Sequence, residues 1–169
     1  MPDLMNFLEY MFFDDIAKKK LLDGKYIDKV KSEMAIQVLE FYRAPARKAL
    51  RKSARFTAPA NIFELSKLAS KQVSLGNMAG EGWFLTGEMM ELVESDVPNV
   101  ICLQPFGCLP NHIIGKGVMH ALRDRYPDSN IIALDCDAGA SEVNQENRIK
   151  LMLTVAKEKI EEEYSEKAV

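Results

Sequence analysis

The stretch from Pro98 to Cys108, PNVICLQPFGC, constrains this chain more than any other. Val100 to Leu103 is an apolar run of strand length, and the Pro- and Gly-bent turn after it delivers Cys108 into a loop. Pro110 and Asn111 open a helix directly afterwards, and Ile131 to Leu134 supplies a second run that reads as a buried strand. Strand, helix, strand in that order is a parallel crossover unit, and open α/β sheets put their chemistry at the carboxyl ends of their strands. A cysteine there, against a helix N-terminus, sits where a thiolate is electrostatically favoured.

At 169 residues and 47% hydrophobic, the chain is long enough for one well-formed core, or for one core plus a helical appendage. No run approaches the roughly 18 to 20 apolar residues of a membrane span, and Asp3 and Glu9 stand where a secretory leader would carry bases. The expectation is a cytoplasmic protein with no membrane association. Three cysteines far apart suit reduced thiols or ligation better than a disulfide framework. The net charge of −3 hides a basic excess over residues 1–80 and an acidic excess over 81–169. The densest positive stretch is Arg43, Arg47, Lys48, Arg51, Lys52 and Arg55. It reads as a solvated helix face, an acidic-partner surface or a phosphate-binding surface. The overall acidity and the lack of interleaved aromatics argue against nucleic acid.

Leu4, Phe7, Leu8, Met11, Phe12 and Ile16 recur at helical spacing and predict a core-facing stripe ending near Asp23 and Gly24. Ile27, Val30, Met34, Val38 and Phe41 predict a second stripe, with Pro45 breaking or bending that helix. Asn61 with Glu64 predicts the cap of a third. Residues 1–75 therefore read as a helical segment. Residues 76–169 read as an α/β unit with strands near 99–104 and 130–135, joined by a helix from about Asn111 to Tyr126. Ser141 is a natural N-cap for the last helix. Two strands are too few for a stable doubly wound sheet. Either the Gly-rich segment around Gly76, Gly80 and Gly82 hides another strand, or this small Rossmann-like unit completes a sheet with other sequence.

Three roles stay open for Cys108: metal or cluster ligand, nucleophile paired with His112, or small buried hydrophobe. Cys102 lies inside a strand and reads as core, whereas Cys136, at the end of the next strand, is a candidate ligand. In LDCDAGASEVNQ, Asp135 and Asp137 end a strand and Ser141 precedes a helix, which suits anion binding or plain capping. Gly80, Gly82 and Gly87 do not satisfy the dinucleotide fingerprint. Trp83 and Phe84 read as packing residues, with a lid over a ligand as the alternative.

The strings GEGWFLTGEMMELVE, PNVICLQPFGCLPNHIIGKGV and DAGASEVNQENRIKLML, together with APARKALRKSARFTAPANIFELSKLAS, resemble the C-terminal region of the large acyl-CoA dehydratase activase-related proteins. These belong with the 2-hydroxyacyl-CoA dehydratases and their ATP-dependent activators, including those of 2-hydroxyglutaryl-CoA dehydratase and benzoyl-CoA reductase. The resemblance is strongest from Gly80 to Leu153. It implies that Cys108 is one of three thiolate ligands of a [4Fe–4S] cluster, with backbone N–H groups around Gly107, Asn111 and His112 tuning it. It also implies an acidic loop at Asp135 and Asp137, and Gln145 with Arg148 opening the final helix after Ser141. Leu109 stands between Cys108 and Pro110, where the smaller dehydratase subunits often have the proline directly after the cysteine. The remaining ligands would come from upstream sequence, unless Cys102 or Cys136 substitutes. The chemistry implied is radical dehydration of a 2-hydroxyacyl-CoA by a lyase, or the electron transfer that drives it. The chain lacks an activator's phosphate-binding loops, so activity alone is not expected. The implied partners are upstream domains of the same polypeptide or dehydratase and activator subunits, with acyl-CoA as the substrate class. The alternative is a non-catalytic module that docks onto the rest of the protein or a partner subunit.

Overall fold

Asp3 accepts the Met5 N–H at 3.0 Å and so starts α1, Leu4–Leu21. In this computed structural model, which describes residues 3–167, α1 is followed by α2, Tyr26–Leu50, α3, Ile62–Ala69, and α4, Gly82–Glu94. The chain divides into two units, Met1–Glu91 and Leu92–Val169, and the division falls within α4. Asn61 and Glu64 close a reciprocal capping box at the start of α3, as their spacing predicts.

The core of the first unit gathers Tyr10, Phe13 and Ala17 of α1, Ile36 of α2, Ile62, Leu65 and Ala69 of α3, and Trp83 and Phe84 of α4. Trp83 packs edge-on against Tyr10 and Phe13, with ring centroids 5.1 and 5.2 Å apart, so it is a packing residue. Two predicted stripes are corrected here, although Phe7 and Ile16 of the first do pack, partly buried, against this core. On α1 the buried positions are Asn6, Glu9, Tyr10, Phe13 and Ala17, while Leu4, Leu8, Met11 and Phe12 are exposed. On α2, Ser32, Ile36 and Arg43 are buried, while Ile27, Met34, Val38 and Phe41 face solvent, Phe41 at 75%. The reason is polar. Arg43 is buried with partners from two helices: Asn6 Oδ1 and Glu40 Oε1 at 2.8 Å, Asp3 Oδ2 at 2.5 Å and Glu9 Oε1 at 3.6 Å. That network turns α2 away from the apolar stripe. Arg47 joins it through Glu40 at 2.7 Å, so the basic stretch is a solvated face only from Lys48 onward. Pro45 lies on the exposed side and α2 runs through it unbroken.

The second unit contains β1, Asn99–Pro105, α5, Met119–Arg125, β2, Asn130–Cys136, and α6, Glu142–Lys167. The Gly-rich segment forms turns, and β1 and β2 are the two strands among the described residues. They pair in parallel, Asn99 opposite Asn130 through Pro105 opposite Cys136. The predicted helix from Asn111 to Tyr126 is interrupted. Asn111–Gly115 forms one wide turn closed by Lys116 N–H on the Asn111 carbonyl at 2.8 Å, and α5 begins four residues after it. Gly117 permits the close turn at the break: a Cβ there would lie 2.2 Å from the Ile113 carbonyl oxygen. Val100, Cys102 and Gln104 of β1, with Ile131 and Ala133 of β2, form a buried face. Both α5 and α6 pack on β2, and Met119, Leu122 and Met152 are buried. On the opposite face of β1, Ile101 is 40% exposed and Leu103 53%. Among the described residues, no helix is long and apolar enough to cross a membrane.

Candidate functional site

Two backbone features aim Cys108. Gly107 adopts φ +70°, a left-handed conformation that glycine takes without strain, and the Cys108 N–H donates to the Pro105 carbonyl at 3.1 Å. The loop therefore turns back immediately beyond the carboxyl end of β1. The half-buried Cys108 thiol donates to Asn111 Oδ1 at 2.9 Å, and Asn111 Nδ2 donates to the Leu103 carbonyl at 2.7 Å. One amide thus ties the thiol to the strand that precedes it. The thiol's hydrogen-bond partner is Asn111, and the tie to His112 is of the backbone alone, His112 N–H to the Cys108 carbonyl at 3.2 Å.

The acidic loop forms a second feature at the same end of the sheet. Asp135, Asp137, Ser141, Gln145 and Arg148 line one shallow, open cavity of about 600 Å³, together with Asn144. Asp137 Oδ1 accepts the Gly139 N–H and turns the loop. Gln145 Nε2 donates to the Asp135 carbonyl at 2.6 Å, and Arg148 donates to the Ala133 carbonyl at 3.0 Å. Lys116 lies 3.6 Å from Asp135 Oδ1, bringing a cation from the crossover connection to the same loop. Cys108 is not among the residues lining this cavity.

The donor set can be tested against a cluster. Cys102 is buried on the covered face of β1, where Gln104 Nε2 reaches its sulfur at 3.2 Å. Cys136 is exposed at the last position of β2. Among the described residues, no group of three or more His, Cys, Asp or Glu side chains is arranged to hold a metal ion. The described residues therefore do not fit a complete cluster.

Sequence reasoning missed Arg123, which donates to the Ile131 carbonyl through Nε at 3.2 Å and through a terminal nitrogen at 2.5 Å. It also missed the ion pair of Lys116. Neither has a local signal, because each partner lies across the crossover. Gln145 and Arg148 do carry one, since residues three apart share a helix face. No family model, curated protein or solved structure matches the chain.

Proposed function

We propose that this chain is a terminal domain of an iron–sulfur 2-hydroxyacyl-CoA dehydratase or activase-like protein, in which Cys108 supplies one thiolate to a [4Fe–4S] cluster shared with other sequence. The single observation that carries this reading is the Cys108 thiol itself: half-buried, just past the carboxyl end of a parallel strand, and oriented by an asparagine that is anchored to that strand. The resemblance from Gly80 to Leu153 supplies the cofactor and the acyl-CoA substrate class. Such a cluster, held in part by Cys108, would supply single-electron chemistry. This chain's own contribution is to orient the sulfur, to hold α6 on β2 through Gln145 and Arg148, and to extend a cytoplasmic, Rossmann-like sheet completed by other strands.

Reconstituting the intact native gene product with iron and sulfide tests this. Loss of cluster absorbance in Cys108→Ser is the expected result, and undiminished absorbance removes the reading.

A second reading is a docking module in which Cys108 only packs. It is favoured by the exposed apolar stripe of α2, which runs on into the exposed Lys48, Arg51, Lys52 and Arg55. Association with an acidic partner that weakens with salt and ignores Cys108→Ala would select it.

A further inference from the structure

The two outer edges of the β1–β2 pair are treated differently. Asn130 N–H donates to the Pro98 carbonyl at 2.8 Å, and Phe106 N–H donates to the Cys136 carbonyl at 3.2 Å. Even-numbered residues of both strands therefore turn their backbone groups toward each other, and odd-numbered ones turn theirs outward. On β2, each outward carbonyl is taken by a side chain: Ile131 by Arg123, Ala133 by Arg148 and Asp135 by Gln145. On β1, the outward Asn99 and Ile101 carbonyls and the N–H groups of Asn99, Ile101 and Leu103 have no partner among the described residues. Natural sheets guard true edges with charge and side-chain cover. That guard is on β2, whereas NVICLQP of β1 carries no charge.

We propose that the outer edge of β1, from Asn99 to Leu103, receives a further parallel strand from outside this chain, whose crossover helix covers Ile101 and Leu103. This deepens the reading above and rests on its claim that the sheet is completed by other sequence. The occupant's chemistry follows from the edge, because unpaired N–H and C=O groups at strand spacing match an extended backbone and nothing more compact. Pro105 lacks an N–H and Asn111 already donates to the Leu103 carbonyl, so pairing stops at Leu103. A second copy of this chain, joined across a twofold axis, would pair antiparallel. It would leave the apolar faces of both copies uncovered, whereas a parallel strand brings the connection that covers one.

Amide exchange at single-residue resolution, on this 169-residue chain and on the intact native assembly, tests the proposal. The Ile101 and Leu103 amides are expected to exchange about tenfold slower or more in the assembly. In Ile101→Lys, at a position exposed in this chain, Leu103 is expected to return to its isolated rate with the circular dichroism unchanged. Equal rates in both samples overturn the proposal, as does slowing confined to Ile131 and Ala133. Slowing that grows with the concentration of the isolated chain also overturns it, in favour of a second copy. Cys108→Ser separates this from the iron reading, because it removes cluster absorbance and leaves the Ile101 protection in place.

Discussion

The Cys108 thiol and the Asn111 side chain form one 2.9 Å hydrogen bond, and the same amide holds the Leu103 carbonyl. Asn111→Ala removes both ties. Alkylation of Cys108 by iodoacetamide is then expected to speed up about tenfold, the equivalent of one hydrogen bond of roughly 1.4 kcal/mol. An unchanged rate would mean that the loop, not the amide, sets access to the sulfur.

The three thiols differ in exposure, so they should label in sequence. Cys136 is exposed, Cys108 intermediate and Cys102 buried. Peptide mapping after brief alkylation should find Cys136 modified first, Cys108 next and Cys102 only after denaturation. Early labelling of Cys102 would contradict the buried face of β1.

On α2, Ile36 is buried and Phe41 exposed. Ile36→Ala is expected to destabilise by about 2–5 kcal/mol in urea unfolding. Phe41→Ala should stay within about 0.5 kcal/mol. The reverse order would restore the stripe that the sequence pattern favours.

Three carboxyls of the first unit give it a pH dependence. Burial, then the charge of Glu40, pushes Glu9 from 4.5 up to about 7 against the pull of Arg43. Burial, with repulsion from Glu91 and Glu81, takes Glu88 from 4.5 to about 8, and burial takes Asp14 from 3.8 to about 6. The folded state therefore binds protons that the unfolded chain has released. Stability falls as pH rises from the unfolded carboxyl range through these folded values, then levels off. Fluorescence of Trp83, the chain's one tryptophan, should report a higher melting temperature at about pH 5.5 than at about pH 8.5. Glu9→Gln should flatten that slope, and a melting temperature that rises with pH would refute the assignment.

Gln104 is 1% exposed and its Oε1 has no hydrogen-bond partner among the described residues. Replacing it with an apolar side chain of similar shape removes an unmet acceptor, so Gln104→Met should be neutral or stabilising by up to about 1 kcal/mol in urea unfolding. A loss of more than about 1 kcal/mol would show that the amide is held by more than its bond to Cys102.

The strand, helix, strand order was readable because Val100 to Leu103 and Ile131 to Leu134 are short apolar runs bounded by turn residues. The Asn61 cap was readable because it is local. The inward faces of α1 and α2 were not. Helix α1 is apolar around most of its circumference, so periodicity had no direction to choose, and Arg43 is inside because it meets Asn6, Asp3 and Glu9 from the other helix as well as Glu40. The same limit applied at the site. Asp135, Asp137 and Ser141 lie close in sequence and were read together, Gln145 with Arg148 came from the resemblance, and Lys116 and Arg123, which reach β2 from the crossover, were missed.

Arg148 and Gln145 follow β2 in the chain, so they leave the ribosome after the carbonyls they cover. Arg123 reaches its carbonyl from the crossover, so until α6 docks, two of the three outward carbonyls of β2 are open to other donors. Docking of α6 therefore finishes the cover of that edge at the same time as it adds a layer to the sheet.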